Sequence, residues 1–190
     1  MIIYIHGFGS SGEGIKAILF REYFKSKDQG FIAPSLSYVP ELAIKTLEEL
    51  IESYNGKASL IGSSLGGFYS VYLAKKYDLK AVLINPSIFP YETLQKVLGI
   101  TPNFYDNSCF EYKETHLKML RQYMTDTNND KNFMLLLQRG DESLDYTHAL
   151  KKFPNSYQIV EDGVSHSFEN IERHFEKIYD FLTSKYKISS

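Results

Sequence analysis

Gly62-Ser63-Ser64-Leu65-Gly66 reads G-x-S-x-G. It falls where an apolar stretch of strand length, residues 57–61, hands over to residues 67–77, whose apolar side chains recur at helical spacing. A serine at the apex of a strand-to-helix turn is held in a strained backbone conformation that lifts its hydroxyl above the sheet. The flanking glycines are needed there because any side chain would collide with the packed strand and helix. Such a turn presents Ser64 as a nucleophile. The pentapeptide also suits a plain glycine-rich turn whose serine caps the helix, so the rest of the chain has to decide.

A serine hydroxyl attacks well only when a base takes its proton, and the base is best a histidine oriented by a carboxylate. Of His6, His116, His148, His166 and His174, only His166 stands in a polar loop after the last apolar run, Ser156-Tyr157-Gln158-Ile159-Val160. From there its imidazole can reach back to Ser64. His174 is expected on the final helix facing solvent, His148 in a surface helix and His116 in an insertion. The carboxylate is expected at the end of the strand at 133–138, where Arg139-Gly140-Asp141-Glu142-Ser143-Leu144-Asp145 offers three. Asp141 directly follows the strand-ending glycine and is the best placed; Glu142 is the alternative, and Asp145 is expected to cap the next helix.

Acyl transfer also needs two N–H donors aimed at the developing oxyanion. Leu65, next after the serine at the start of a helix, supplies one. The loop His6-Gly7-Phe8-Gly9-Ser10-Ser11-Gly12 supplies the other, from Phe8 or, second, Gly9, with His6 bracing the loop. That loop fits neither G-x-x-x-x-G-K-[ST] nor G-x-G-x-x-G, which argues against a phosphate cradle.

These residues need a scaffold that gathers four loops on one edge, and the hydrophobic pattern supplies one. Strands are expected at 2–5, 57–61, 81–85, 133–137 and 156–160, with a short extended piece at 31–34, alternating with helices at 14–26, 40–54, 67–77 and 168–184. Alternation of this kind predicts an α/β protein with a mostly parallel central sheet, helices on both faces and ligands at the carboxyl ends of the strands. Residues 90–131 break the rhythm, with a short helix at 91–98 and another at 114–124 around an aromatic-rich stretch. Their length exceeds a simple crossover, so they are expected to be either a small lid over the site or an ordinary covering helix with a decorated loop.

The 190 residues fit a single domain, and 43% hydrophobic content is ordinary for a soluble one. A net charge of -2 with no basic block favours neither nucleic acid nor an acidic membrane surface as partner. The one cysteine, Cys109, can form neither an internal disulfide nor a multi-cysteine metal site. No apolar run is long enough to span a membrane. The opening Met1-Ile2-Ile3-Tyr4-Ile5 lacks a basic leader, so a cytoplasmic protein is expected.

The set His6-Gly7-Phe8, Gly62-Ser63-Ser64-Leu65-Gly66-Gly67, Asn85-Pro86-Ser87, Gly140-Asp141-Glu142 and His166-Ser167-Phe168 resembles an α/β-hydrolase, and more narrowly the small YqiA-like esterases of bacteria, the uncharacterised-family 0227 group. The resemblance covers nearly the whole chain, loosely over 100–131. It implies a three-layer α/β-hydrolase fold with a short lid-like insertion and a Ser64-Asp141-His166 triad cleaving acyl esters or thioesters without metal or cofactor. Many α/β-hydrolases place two residues between the strand-ending glycine and the acid. Here Gly140 and Asp141 are adjacent, which keeps Glu142 in play. Two other readings stay open: a triad acting on peptide or C–C bonds, and an idle hydrolase fold used for binding. Acyl-chain length and oligomeric state are not fixed by the sequence. Phe8, Phe68, Tyr69, Phe89, Tyr91, Phe104 and Tyr105 are the aromatic candidates for an acyl pocket.

Overall fold

The computed structural model describes residues 1–126, 130–163 and 165–184. Residues 127–129 of the polar stretch that ends the insertion, and Val164 of the His166 loop, lie outside them. Six strands form one parallel sheet: β1 (Ile2–Ile5), β2 (Phe31–Ile32), β3 (Ser59–Ser63), β4 (Ala81–Ile84), β7 (Phe133–Gln138) and β8 (Tyr157–Glu161). Their order is β2-β1-β3-β4-β7-β8, and every neighbouring pair is parallel. The order reverses between β1 and β3, so the loops leaving these two strands diverge and open a crevice at their carboxyl ends.

Period-two alternation divides the core into two layers. Ile2, Tyr4, Ile61, Val82, Ile84, Met134 and Leu136 pack on α1 (Ile15–Ser26) and α7 (Phe175–Thr183). Their strand neighbours Ile3, Ile5, Leu60, Leu83 and Leu135 pack against α2 (Pro40–Ser53), α3 (Leu65–Tyr77), α5 (Glu114–Gln122) and α6 (Tyr146–Lys152). Because both faces are covered, β4 is apolar throughout and β7 is apolar from Phe133 to Leu137. Pro40 opens α2 at its first turn, where its missing N–H costs nothing. Asp78, in the left-handed conformation, ends α3.

Three elements differ from the sequence expectation. The short helix at 91–98 is a single α-turn, α4 (Pro90–Thr93), followed by a 3-10 turn, Leu94–Val97. The stretch after it forms an antiparallel hairpin, β5 (Gly99–Pro102) and β6 (Cys109–Tyr112), which the sequence reading missed. Proline and polar residues interrupt the alternation there, and the hairpin is held by packing: the Phe8 ring meets Phe110 and Tyr112 edge-on at 5.6 and 4.9 Å. The final helix begins at Phe175 rather than 168, after a 3-10 turn, Ile171–His174. Phe168 and Asn170 have positive φ and break the helical register before it. His174 is buried rather than solvent-facing, and its Nε2 lies 3.0 Å from Glu161.

Candidate active site

Ser64 follows the last residue of β3 and precedes the first of α3, with φ 54° and ψ -118°. This backbone conformation is costly for a residue with a Cβ and persists only where the surroundings over-determine it. The surroundings are backbone pressed on backbone. A Cβ at Gly62 would strike the Gly66 carbonyl and the Ser70 hydroxyl, and one at Gly66 would strike the Ile5 carbonyl. The third glycine, Gly67, would meet Pro86 Cβ at 2.7 Å. The chain is pinned from the other side too, since the Ser64 N–H donates to the Ile84 carbonyl at 3.0 Å and the Ser87 N–H to the Ser64 carbonyl at 3.0 Å. Ser63, the last residue of β3, is buried and lines the cleft with Tyr4.

The structure brings His166 and Asp141 to this serine. His166 Nε2 lies 2.9 Å from Ser64 Oγ, and His166 Nδ1 lies 2.8 Å from Asp141 Oδ2. A carboxylate only accepts, so Nδ1 carries the imidazole proton and Nε2 is left to accept from the serine hydroxyl. The Asp141 side chain is 2% exposed and that of His166 26%. Burial by itself would raise the Asp141 carboxyl. The hydrogen bond and charge of His166, with the Leu144 and Ser143 amides on Oδ1, outweigh it and hold the group below the usual carboxylate range. Glu142 does something else: its Oε2 accepts the backbone N–H of His166 at 2.8 Å. One carboxylate therefore meets the ring and its neighbour meets the chain. Asp145 caps α6 through the Thr147 N–H.

The two residues expected to supply N–H donors, Leu65 and Phe8, line the same cleft. Leu65 is the first residue of α3, where an amide has no partner within the helix. The Phe8 N–H meets no acceptor among the described residues. Its loop is braced by His6, whose Nδ1 donates to the Gly7 carbonyl at 2.8 Å while Nε2 accepts the Leu36 N–H at 2.9 Å. Burial lowers the His6 pKa, more than the Gly7 bond raises it, in keeping with the neutral ring those two bonds require.

Two residues that the sequence reading gave no role fix the His166 loop. Asn85, buried at the end of β4 with φ 39°, donates to the His166 and Ser165 carbonyls at 3.1 and 3.4 Å and accepts the Gln138 N–H at 3.0 Å. Gln138, buried at the end of β7, donates to Glu161 and accepts the Glu169 N–H. Glu161 also holds Arg173 and His174. The available signal was a polar residue closing an apolar strand at the edge where the other loops gather.

A cleft of 520 Å³ opens over Ser64, His166, Phe8 and Leu65, a volume ordinary for a small-molecule site. Of the aromatic candidates only Phe8 and Phe104 line it; Phe68 and Tyr69 are spent in the core. Among the described residues no group of three His, Cys, Asp or Glu is placed to hold a metal ion, and no helix is long and apolar enough to cross a membrane.

A crossover sheet with this serine turn at its switch point defines the α/β-hydrolase fold, and comparison with solved structures agrees. Est1E from Butyrivibrio proteoclasticus, solved with ferulic acid, matches with a TM-score of 0.74 at 14% identity, covering 95% of this chain and 86% of that one. Alpha/beta hydrolase domain-containing protein 10 from mouse matches at 0.73 and 19%, covering 94% and 88%. A monoacylglycerol lipase from Paleococcus ferrophilus matches at 0.69 and 15%, covering 95% and 93%. The chain belongs to the uncharacterised protein family UPF0227, whose model matches residues 1–183. Relatives include a UPF0227 protein of Pectobacterium atrosepticum, 29% identical, and one of Citrobacter koseri, 27% identical. Each alignment covers 96% of this chain and 99% of the relative.

Proposed function

We propose that the protein is a serine hydrolase of small acyl esters or thioesters, with Ser64, His166 and Asp141 as its catalytic residues. The observation that carries this reading is the unbroken hydrogen-bonded line from Ser64 Oγ through His166 to Asp141, at 2.9 and 2.8 Å, opening onto a cleft. In the reaction Ser64 Oγ attacks the substrate carbonyl while His166 Nε2 takes its proton. Asp141 keeps the imidazole in the required tautomer and stabilises the imidazolium that forms. The amides of Leu65 and Phe8 bind the oxyanion, each worth about 3–4 kcal/mol in such sites. The imidazolium then protonates the departing alcohol or thiol, leaving an acyl-serine. Water, deprotonated by the same imidazole, attacks the acyl-serine and releases the acid.

The reading needs no metal or organic cofactor, and it takes the chain as a single domain in which the insertion at 90–131 contributes its described residues Pro90 to Phe104 as a small lid at the cleft. Pro90, Leu94 and Phe104 of that segment line the cleft, and the Phe104 N–H donates to the Gly9 carbonyl at 2.6 Å. It also takes the partner to be a small molecule and the compartment to be the cytoplasm, where a lone exposed thiol such as Cys109 is at home.

The test is hydrolysis of p-nitrophenyl esters from acetate to palmitate, wild type beside Ser64→Ala, with labelling by a fluorophosphonate. Turnover and labelling are expected in the wild type and a loss of about 10⁴-fold or more in the variant, at unchanged melting temperature. Turnover retained by Ser64→Ala, or a wild type that neither turns over nor labels, refutes the assignment. The second outcome points to a fold used for binding.

A further inference from the structure

Lys16, in the first turn of α1, reaches into the same cleft as Ser64. Its Nζ donates to the Ser167 carbonyl at 2.6 Å, one residue from the imidazole that meets Ser64. An ammonium has three protons to place, and the fold takes up one of them among the described residues. No carboxylate of the described residues lies within ion-pair distance of it. Glu13, nearby in sequence, is paired with Arg21. Lys16 also lines an adjoining groove with Glu13, Glu169 and Glu172, none of which lines the cleft.

Two ammonium groups and one carboxylate line the cleft. The ammonium groups are those of Lys16 and of Lys96, on the 3-10 turn after α4. Among the described residues lining the cleft, the one carboxylate is Glu142, whose Oε2 accepts the His166 N–H. Ser10, Ser87, Thr93, Ser143 and Ser167 add polar groups. Phe8, Leu65, Pro90, Leu94, Phe104 and Leu144 supply an apolar part beside these groups, so the lining suits a ligand that joins an apolar portion to a charged one.

We propose that the Ser64 cleft is built for an ester or thioester that carries an anionic oxygen group, a carboxylate or a phosphate, and that the Lys16 ammonium binds that group beside Ser64 and His166. The proposal rests on the hydrolase reading and adds the substrate's charge to it. A half-buried ammonium without a counter-ion is costly to the free protein, and burial lowers the Lys16 pKa to about 8. An anion in the cleft offsets that cost and holds the proton in place.

The experiment uses two matched pairs at pH 7. One compares p-nitrophenyl hexanoate with the mono-p-nitrophenyl ester of glutarate, which carries a carboxylate on the acyl side. The other compares monobutyrin with the butyryl ester of glycerol 3-phosphate, which carries a phosphate on the alcohol side. Wild type, Lys16→Met and Lys16→Arg are measured, and the readout is the ratio of anionic to neutral kcat/KM within each protein, which cancels any loss common to both substrates. In the wild type at least one ratio is expected to be about ten or more. Lys16→Met should bring it close to one, and Lys16→Arg should restore most of it. The pair that responds identifies the anion. A wild-type ratio near one in both pairs, or a ratio that Lys16→Met leaves unchanged, overturns the proposal; the latter is what a mere brace for Ser167 would give. Should the wild type turn over no ester and take no fluorophosphonate label, the hydrolase reading itself fails. Calorimetry with glutarate and inorganic phosphate then decides the anion site, binding lost in Lys16→Met supporting it and no binding to the wild type refuting it.

Discussion

Ser64 and His166 meet at 2.9 Å, yet the segments that bring them there are held by different forces. The serine turn is fixed by close contact of backbone on backbone: Gly62 on Gly66, Gly66 on Ile5 and Gly67 on Pro86, with no room for a single added carbon. The histidine loop is fixed by polar side chains reaching in from elsewhere: Asn85 from the end of β4, Gln138 from β7, Glu142 from the next loop and Arg173 from the turn before α7. Steric fixing tolerates no substitution but needs no partner. A network of hydrogen bonds can be weakened one member at a time, and it fails by degrees.

The steric half should break outright. Gly66→Ala drives its methyl into the Ile5 carbonyl, a backbone atom that cannot swing away. Loss of more than about 4 kcal/mol is expected, so the variant should be recovered unfolded or not at all; circular dichroism on purified protein checks this. A well-folded Gly66→Ala variant would dissolve the contrast.

Within the polar half, the two adjacent carboxylates should separate cleanly. Asp141→Asn removes the acceptor that fixes the tautomer of His166 and is expected to cost about 10³- to 10⁴-fold in kcat. Glu142→Gln keeps an acceptor for the His166 N–H and should cost about five-fold or less. Reversed magnitudes would make Glu142 the acid.

Asn85→Ala touches no substrate but releases the carbonyls of Ser165 and His166 and leaves the Gln138 N–H unpaired. A fall of about 10- to 100-fold in kcat with KM little changed is expected, with a loss of about 1–3 kcal/mol in stability by denaturant titration. An equal fall in stability with kcat intact would make Asn85 structural only.

The smallest effect is in acid. The Asp141 carboxyl is held below its usual range in the folded protein, so its stabilising contribution is complete above the unfolded value of about 3.9 and is lost as the pH falls through the lower folded value. Melting temperatures measured from pH 6 down to pH 3 should therefore fall less steeply in Asp141→Asn than in wild type.

This division also separates what could be read from the sequence. Glycines at 62, 66 and 67 around Ser64 announce a turn because only glycine fits such an approach, and a local steric demand leaves a local trace. Asn85 left no comparable trace. It ends an apolar strand more than fifty positions before Gln138 and eighty before Ser165, and nothing in its neighbours says which carbonyls it will meet. The hairpin at 99–112 was illegible for a similar reason, since Phe110 and Tyr112 form strands by packing on Phe8 rather than by alternation. His174 looked like a surface residue because helical periodicity was extended through Phe168 and Asn170, whose positive φ stops the helix.

By itself the sequence determined the alternating parallel scaffold and the identity of Ser64, Asp141 and His166 as candidates, because hydrophobic period and glycine sterics act over a few residues. Only the tertiary structure decided that Asp141 takes the imidazole while Glu142 takes the backbone, and that Lys16 shares a cleft with Ser64. These depend on where side chains far apart in the chain come to rest around the sheet edge, and no local pattern encodes that placement.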